Sequence, residues 1–464
     1  MSKSDSTQEK SVERKYFGTD GIRGVANQSP LDPETLVRLG KAVSKIFLQN
    51  KGKQRILIGK DTRLSGYMIE NSLAAGITSM GAEVLFTGPI PTAGLAYLTW
   101  SMRCSAGVMI SASHNPYQDN GIKIFAADGY KLPDSTEAQI EPLLESGTLD
   151  SDHADPDKIG KASRLNDALG RYIVFLKSCF PNNLTLEGIK IGLDCANGAA
   201  YMVAPQVFAE LGAEVTSRGV SPNGKNINAG FGSLHPEVIT KVVLDTGLDL
   251  GIALDGDADR AIIVDDRGNL LDGDMILAIC AKDLYERGKL KSAQVVATVM
   301  SNLGLDKFLS PYGIEVERVQ VGDRYVLERM KERNLQIGGE QSGHTIFSDY
   351  ATCGDGILTA LMVLAVMQRS GKKLSELIKD FVRFPQHLVN VKVSKKPALD
   401  TLPNLWKLIK HKEEELGSSG RVLVRYSGTE NKIRVMVECE DEGDCRKHSE
   451  ELISAVQLEL GSEV

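Results

Sequence analysis

Short apolar runs of strand length alternate along the chain with longer stretches whose apolar residues recur at helical spacing. Three stretches share one order of events: apolar strand, polar loop, helix, then a Gly-x-Glu-Val turn into a second strand. The first runs from Arg55-Ile-Leu-Ile-Gly to Gly81-Ala-Glu-Val-Leu-Phe, the second from Ile189-Lys-Ile-Gly-Leu-Asp to Gly212-Ala-Glu-Val, and the third from Gln294-Val-Val-Ala-Thr-Val to Gly313-Ile-Glu-Val. Strand, helix and strand in that spacing make a βαβ unit, and each glycine suits a helix C-terminus. Three such units predict three related α/β domains with mixed, largely parallel sheets. Past Pro385 the texture changes to a helix near Leu405 to Leu416, a strand Arg421-Val-Leu-Val-Arg, a Ser-Gly turn, a strand Ile433-Arg-Val-Met-Val-Glu and a last helix to about Leu460. That is a smaller C-terminal α+β domain. The expected division is a tail over 1–15, α/β domains over 16–165, 166–268 and 269–384, and the α+β domain over 385–464.

A chain of 464 residues exceeds what one core supports, in keeping with several domains and clefts between them. Its net charge of −7 gives no basic footprint for nucleic acid. No stretch approaches the roughly eighteen apolar residues of a membrane span, and the longest, Ile357 to Met367, reads as a buried helix. The first fourteen residues are polar and charged without the apolar centre of a secretory signal, so a cytoplasmic location is expected. Cys104, Cys179, Cys195, Cys280, Cys353, Cys439 and Cys445 contain no C-x-x-C pair, which argues against a disulfide framework and a thiolate zinc site. Cys353, beside Gly354 and Asp355, reads as a core cysteine in preference to a reactive thiol.

Four loops carry candidate chemistry. Met109-Ile-Ser-Ala-Ser-His-Asn-Pro leaves the apolar strand Ala106 to Ile110 and presents serines on a sharp turn at a strand's C-terminal end, where α/β sheets place ligands; a capped helix start reads equally well. Leu254-Asp-Gly-Asp-Ala-Asp-Arg sets Asp255, Asp257 and Asp259 at alternate positions after the strand Leu248 to Leu254, and a curled loop would converge them on one hard cation such as Mg²⁺. Like charges so close repel by about 4 kcal/mol per pair at about 4 Å and an effective dielectric of about 20, which favours a metal site over a solvated acidic turn. Gly338-Gly-Glu-Gln-Ser-Gly-His offers Glu340 and Ser342 to sugar hydroxyls, or is an ordinary turn with an incidental carboxylate. Arg425-Tyr-Ser-Gly-Thr-Glu-Asn-Lys-Ile-Arg joins two strands and makes an anion cradle from Arg425, Arg434, hydroxyls and amides, with plain hairpin chemistry as the alternative. Phe17-Gly-Thr-Asp-Gly-Ile-Arg-Gly is glycine-rich but lacks the Lys-Ser/Thr ending of a nucleotide-binding P-loop.

Seven segments in order carry a resemblance: Phe17-Gly-Thr-Asp-Gly-Ile-Arg-Gly, Ile110-Ser-Ala-Ser-His-Asn-Pro, Asp119-Asn-Gly-Ile-Lys, Asp255-Gly-Asp-Ala-Asp-Arg, Val321-Gly-Asp-Arg-Tyr-Val, Gly339-Glu-Gln-Ser-Gly-His and Ser427-Gly-Thr-Glu. From Tyr16 to the final helix the chain resembles the α-D-phosphohexomutases. The resemblance implies four domains around a central cleft, with Ser113 as the phosphoserine and Asp255, Asp257, Asp259 and a phosphoryl oxygen on Ser113 binding Mg²⁺. Arg23 and Lys123 would flank the phosphoserine and His114 would orient its loop. Gly322 and Asp323 would help choose the sugar, Glu340 and Ser342 would hold its hydroxyls, and Arg425, Ser427, Gly428, Thr429 and Arg434 would hold the distal phosphate. The expected reaction is two phosphoryl transfers through a sugar bisphosphate, with Lys123, its pKa lowered by Arg23, as the base.

Val321 to Val326 and Gln341 lean toward glucosamine phosphate, a precursor of UDP-N-acetylglucosamine and the cell wall, over phosphoglucose or phosphomannose. The expected partner is this small phosphosugar, with no nucleic acid or membrane, and a homodimer is the one assembly considered. Two departures stand out: Asn431 where the family has proline, and Ala258 where it has glycine, for which a backbone conformation compatible with a Cβ is expected. The last domain, joined near Pro385, is expected to swing. An aspartate-nucleophile phosphatase fits less well, because Arg260 and Ala261 follow the acidic loop, and retention of Ser113, the aspartates and Lys123 argues against a non-catalytic sensor.

Overall fold

Three α/β sheets and one small antiparallel sheet carry the chain in the computed structural model, which describes residues 15–18, 20–47, 54–427 and 431–461. The first sheet holds β1 (Phe17–Gly18), β2 (Gly21–Val25), β3 (Arg55–Lys60), β4 (Glu83–Pro89), β5 (Ala106–Ile110), β6 (Asp119–Ala126) and β7 (Ala162–Arg164), ordered β1-β2-β6-β5-β3-β4-β7. The second holds β8 (Lys190–Asp194), β9 (Glu214–Arg218), β10 (Leu250–Leu254), β11 (Ala261–Val264) and β12 (Leu270–Leu271), ordered β12-β11-β10-β8-β9. The third holds β13 (Gln294–Thr298), β14 (Glu315–Val319), β15 (Ile337–Gly339) and β16 (Thr345–Phe347), ordered β14-β13-β15-β16. The fourth is the antiparallel set β17 (Gln386–Lys392), β18 (Gly420–Tyr426) and β19 (Lys432–Cys439), ordered β17-β19-β18.

The three repeated segments are the parallel pairs β3/β4, β8/β9 and β13/β14 with their crossover helices. Each glycine of the Gly-x-Glu-Val turns has a positive φ, at +92° for Gly81, +105° for Gly212 and +67° for Gly313, the region where a Cβ is costly. A further parallel strand follows in each sheet: β5, β10 and β15. Each then turns into an antiparallel neighbour: β6, β11 and β16. All five residues of β5 and of β10 are buried, as a strand covered on both faces requires, which is why these segments read as unbroken apolar runs. The three turns 111–118, 255–260 and 340–344 thus occupy one topological position in three sheets. β17 was not anticipated from the sequence, because Gln386-His-Leu-Val-Asn-Val-Lys mixes polar and apolar residues and only Val391 is buried in it.

One apolar core joins the second and third sheets to one face of the first, through Leu57, Met109 and Phe125. Helix Gly356–Ser370, buried along most of its length, packs among them, and Tyr172 of helix Ala168–Cys179 and Phe208 join the same cluster. The fourth unit has a separate core built on Leu405, Val435, Val437 and Leu452. The cysteines are free and buried, and burial pushes the Cys353 thiol up, in line with a packing role. Among the described residues no helix is long and apolar enough to cross a membrane.

One buried polar contact ties this core together. The Tyr172 hydroxyl donates to Asp355 Oδ2 at 2.5 Å, while Asp355 Oδ1 caps helix Gly356–Ser370 by accepting from the amides of Ile357 and Leu358 at 3.0 Å each. Replacing Tyr172 with Phe leaves a buried carboxylate short of a donor and is expected to cost about 1–3 kcal/mol. Equilibrium denaturation of the variant against the parent measures it.

Candidate active site

Ser113 lies in the β5 to β6 turn with φ +50°, a left-handed conformation that a serine adopts only when its surroundings compel it. The compulsion is visible. Ser111 Oγ donates to Asp61 Oδ2 at 2.6 Å and accepts from the Ser113 amide at 3.0 Å. Arg63, fully buried and paired with Asp61, donates to the Ser113 carbonyl at 3.2 Å and the Asn115 carbonyl at 2.5 Å. From the second unit, Asn228 Nδ2 donates to the same two carbonyls at 2.9 and 3.0 Å. The result aims Ser113 Oγ at the β10 to β11 turn, where it donates to Asp255 Oδ2 at 2.5 Å.

That turn needs its glycine: a Cβ on Gly256 would stand 2.5 Å from the Ser113 carbonyl oxygen. Ala258 is left-handed at φ +59°, in the small region of that hand that admits a Cβ at some cost in energy. Asp255, Asp257 and Asp259 are buried and offer oxygens within 4.8 Å of one another. Asp257 Oδ1 and Asp259 Oδ1 have no hydrogen-bond partner among the described residues. Buried carboxylate oxygens that accept no hydrogen bond, converging beside a hydroxyl, are a hard donor set that fits a metal ion.

Lys123, on β6 and 2% exposed, supplies positive charge, with Nζ 3.0 Å from Asp257 Oδ2, 3.1 Å from Asp259 Oδ2 and 3.2 Å from Asp20 Oδ2. Burial alone would lower its pKa, but Asp20, Asp257 and Asp259 outweigh both burial and Arg23 and raise it well above the ordinary lysine range. This corrects the expectation of a Lys123 depressed by Arg23: the surrounding carboxylates shift it the other way. Asp255 is pushed well up by burial and by its two sister carboxylates. Burial would raise Asp259 too, but Lys123, His344 and Arg260 hold it well below the usual range.

Beside these groups opens a cavity of about 560 Å³. The first unit lines it with Tyr16, Asp20, Arg23 and His114, the second with Asp259 and Arg260, and the third with Val321, Gly322, Asp323, Glu340 and His344. His114 Nδ1 is 3.4 Å from Ser113 Oγ. Its pKa is lowered to about 4 by burial and by the guanidiniums of Arg260 and Arg23, so the imidazole is neutral and the wall around it is cationic. Glu340 Oε1 accepts from the Gly322 amide at 3.0 Å, joining the 321–326 and 339–344 segments, and burial raises its pKa. The Gly354 amide donates to His344 Nε2 at 3.2 Å, which leaves Nδ1 to face Asp259 Oδ1 at 3.8 Å.

Ser342 lies exposed at the tip of its turn, off the cavity wall. On the fourth unit Arg425 and Arg434 sit directly opposite each other across β18 and β19, and burial together with Arg434 lowers the Arg425 pKa. Both Nε atoms are buried without a hydrogen-bond partner among the described residues. Like charges facing across a ladder are destabilising unless an anion sits between them. Ser427 is buried at the end of β18, Gly428 and Thr429 fall outside the described residues, and neither arginine lines the cavity.

Sequence profiles of phosphoglucomutase/phosphomannomutase match the chain in series: alpha/beta/alpha domain I over 14–150, domain II over 170–268, domain III over 272–384 and the C-terminal domain over 388–454. The chain belongs to the phosphoglucomutase/phosphomannomutase family. Within this family it is 56% identical over 450 residues to a phosphoglucosamine mutase of Geobacter sp. (strain M21), covering 97% of this chain and 99% of the relative. It is 53% identical over 452 residues to one of Myxococcus xanthus, with the same coverage. Its fold matches a family protein of Burkholderia thailandensis with a TM-score of 0.79 at 21% identity, covering 95% of this chain and 97% of that one. It also matches Aspergillus fumigatus N-acetylphosphoglucosamine mutase, solved with GlcNAc-6P and magnesium, with a TM-score of 0.70 at 17% identity and 95% coverage of each.

As a phosphoglucomutase/phosphomannomutase family member the chain uses more residues at this site than its motifs announced. Asp20, Arg260 and His344 stand inside quoted segments without an assigned role, and a charge count along each segment would have found them. Arg63 and Asn228 lie outside every segment and bind backbone carbonyls, which no side-chain pattern signals. With a folded pKa near 4 against about 6.5 unfolded, His114 leaves the unfolded chain binding more protons between those values, so its contribution makes stability fall as pH drops through that window. The His114 ring resonances are expected to titrate near 4 by NMR, and His114→Gln is expected to flatten the stability slope between them.

Proposed function

We propose that the protein interconverts glucosamine 6-phosphate and glucosamine 1-phosphate through phosphorylated Ser113. The observation that carries the reading is the Ser113 hydroxyl held 2.5 Å from Asp255 Oδ2 beside two buried carboxylate oxygens that accept no hydrogen bond among the described residues. The sugar is chosen by likeness to phosphoglucosamine mutases over almost the whole chain. The product feeds UDP-N-acetylglucosamine and cell-wall synthesis.

In the first step the phosphoryl group leaves Ser113 Oγ for O1 of glucosamine 6-phosphate, giving the 1,6-bisphosphate. After the bisphosphate turns end for end, the phosphoryl on O6 moves to Ser113 Oγ and leaves glucosamine 1-phosphate. Asp255, Asp257, Asp259 and a phosphoryl oxygen on Ser113 would hold Mg²⁺, which offsets negative charge on the transferring group. Lys123 and Arg23 bring positive charge to the same end. His114, 3.4 Å from Ser113 Oγ, stands beside the oxygen that takes up a proton when the phosphoryl group leaves it and gives one up when it attacks in the second step. Glu340, anchored on Gly322, and Asp323 meet the sugar hydroxyls. Arg425, Ser427, Gly428, Thr429 and Arg434 take the distal phosphate when the fourth unit swings about Pro385, and Ser342 comes into reach of the ring in that closed form.

The purified protein is expected to carry one phosphate on Ser113 by intact mass and peptide mapping, and Ser113→Ala to lose turnover entirely. Normal turnover of that variant would falsify the assigned nucleophile. Chelation should stop the reaction and added Mg²⁺ restore it. Side-by-side rates with glucosamine, glucose and mannose 6-phosphates should favour glucosamine, and equal rates would overturn the sugar assignment.

A further inference from the structure

Lys131 lies behind the cavity wall and touches both of its ends. After β6 the chain folds back on the strand, with Gly129 at φ +79° and a bridge between Lys131 and Phe125. Residues paired across antiparallel strands share a face, and Phe125 shares one with Lys123 by alternation, so Lys131 emerges on the face that carries Lys123. Its side chain is 11% exposed, and its ammonium pairs with Asp20 Oδ1 at 2.5 Å and with Asp323.

The two acids belong to different ends of the site. Asp20 Oδ2 accepts from Arg23 at 2.6 Å and stands 3.2 Å from Lys123 Nζ, at the reacting end. Asp323 opens helix Asp323–Arg333 and lies 3.6 Å from His344 Nε2, and the amide of the preceding Gly322 holds Glu340 at the sugar end. Both acids line the cavity and Lys131 does not.

Joining the first and third units does not depend on Lys131. Arg324 pairs with Asp134 and with Glu137 at 3.0 Å, the Lys331 ammonium sits 3.2 Å from the Tyr130 ring centroid, and Thr352 Oγ1 donates to the Gly129 carbonyl at 2.6 Å. What Lys131 alone supplies is a charge between two carboxylates that would otherwise repel across the wall. We propose that Lys131 is a positioning residue for the phosphosugar reaction, holding Asp20 and Asp323 together so that Arg23 and Lys123 keep their distance from Gly322 and Glu340. The inference rests on the mutase reading above. Without the ammonium, Asp20 draws Arg23 and Lys123 toward itself and away from the phosphoryl group, while Asp323 turns to His344.

The test measures kcat, KM and thermal midpoint of the full-length protein with glucosamine 6-phosphate for Lys131→Met, Lys131→Arg and Lys331→Met, the last removing the contact on Tyr130 that joins the same two units. Lys131→Met is expected to lose about 30-fold in kcat with KM raised about threefold, and Lys131→Arg to recover to within about fivefold of the parent. Lys331→Met is expected to lower the thermal midpoint and leave both constants unchanged. Parent-like constants for Lys131→Met overturn the proposal, as does a Lys331→Met loss equal to it at the same thermal shift. Should Lys131→Met fail to fold, the charge-balanced Lys131→Met/Asp323→Asn pair is compared with Asp323→Asn alone. A further loss of about tenfold in kcat is expected through Asp20, and no further loss overturns the proposal. An inactive parent would instead strike down the mutase reading itself.

Discussion

Three carboxylates buried within 4.8 Å of one another cannot persist on their own charge, and the rest of the site follows from how that charge is balanced. Lys123 neutralises one side from the neighbouring unit, Ser113 Oγ hydrogen-bonds to Asp255 on the other, and His344 and Arg260 lean on Asp259. Each of these partners comes from a segment held by a different sheet or turn. The acidic turn therefore fixes where three units meet. A cavity with cationic and anionic walls is the geometric remainder.

The same balance accounts for the difference between expectation and structure at Lys123. Beside Arg23 alone, a lysine would lose proton affinity, and that is the pairing visible in the sequence. Asp20 is three residues from Arg23 yet meets Lys123 only after β2 and β6 pair, so the contact that reverses the sign is tertiary. The βαβ repeats, the C-terminal sheet and the four chemical loops were legible because each rests on local spacing: strand-length apolar runs, glycines at positive φ, alternate aspartates. Arg63, Asn228 and β17 were not, since two bind backbone carbonyls from remote segments and the third draws its stability from pairing with β19. A left-handed turn tolerates alanine when the surrounding contacts cover the cost, and those contacts cannot be read from one residue.

Core organisation sets which parts can move together. The three α/β sheets share buried side chains, so relative sliding there would break packing across this common core. The fourth unit keeps its own core and meets the third through polar contacts: Glu438 Oε1 accepts from the Leu303 amide at 2.7 Å, and Arg421, itself paired with Glu438 within the fourth unit, donates to the Ser301 carbonyl at 2.5 Å. A rigid three-unit body with one separately cored appendage matches a site whose distant arginines stand off the cavity wall.

The turns bearing Ser113, the acidic cluster and Glu340 occupy the same corner of three sheets, each where a parallel strand reverses into an antiparallel neighbour. On the function proposed above, a duplicated fold acquires division of labour: one copy of the corner would give the nucleophile, another would gather the cation, and the third would read the ring. Because each corner hangs from its own hairpin, drift in that third copy would then retune which sugar is accepted while leaving the other two untouched. Such modularity gives evolution a separate dial for preference.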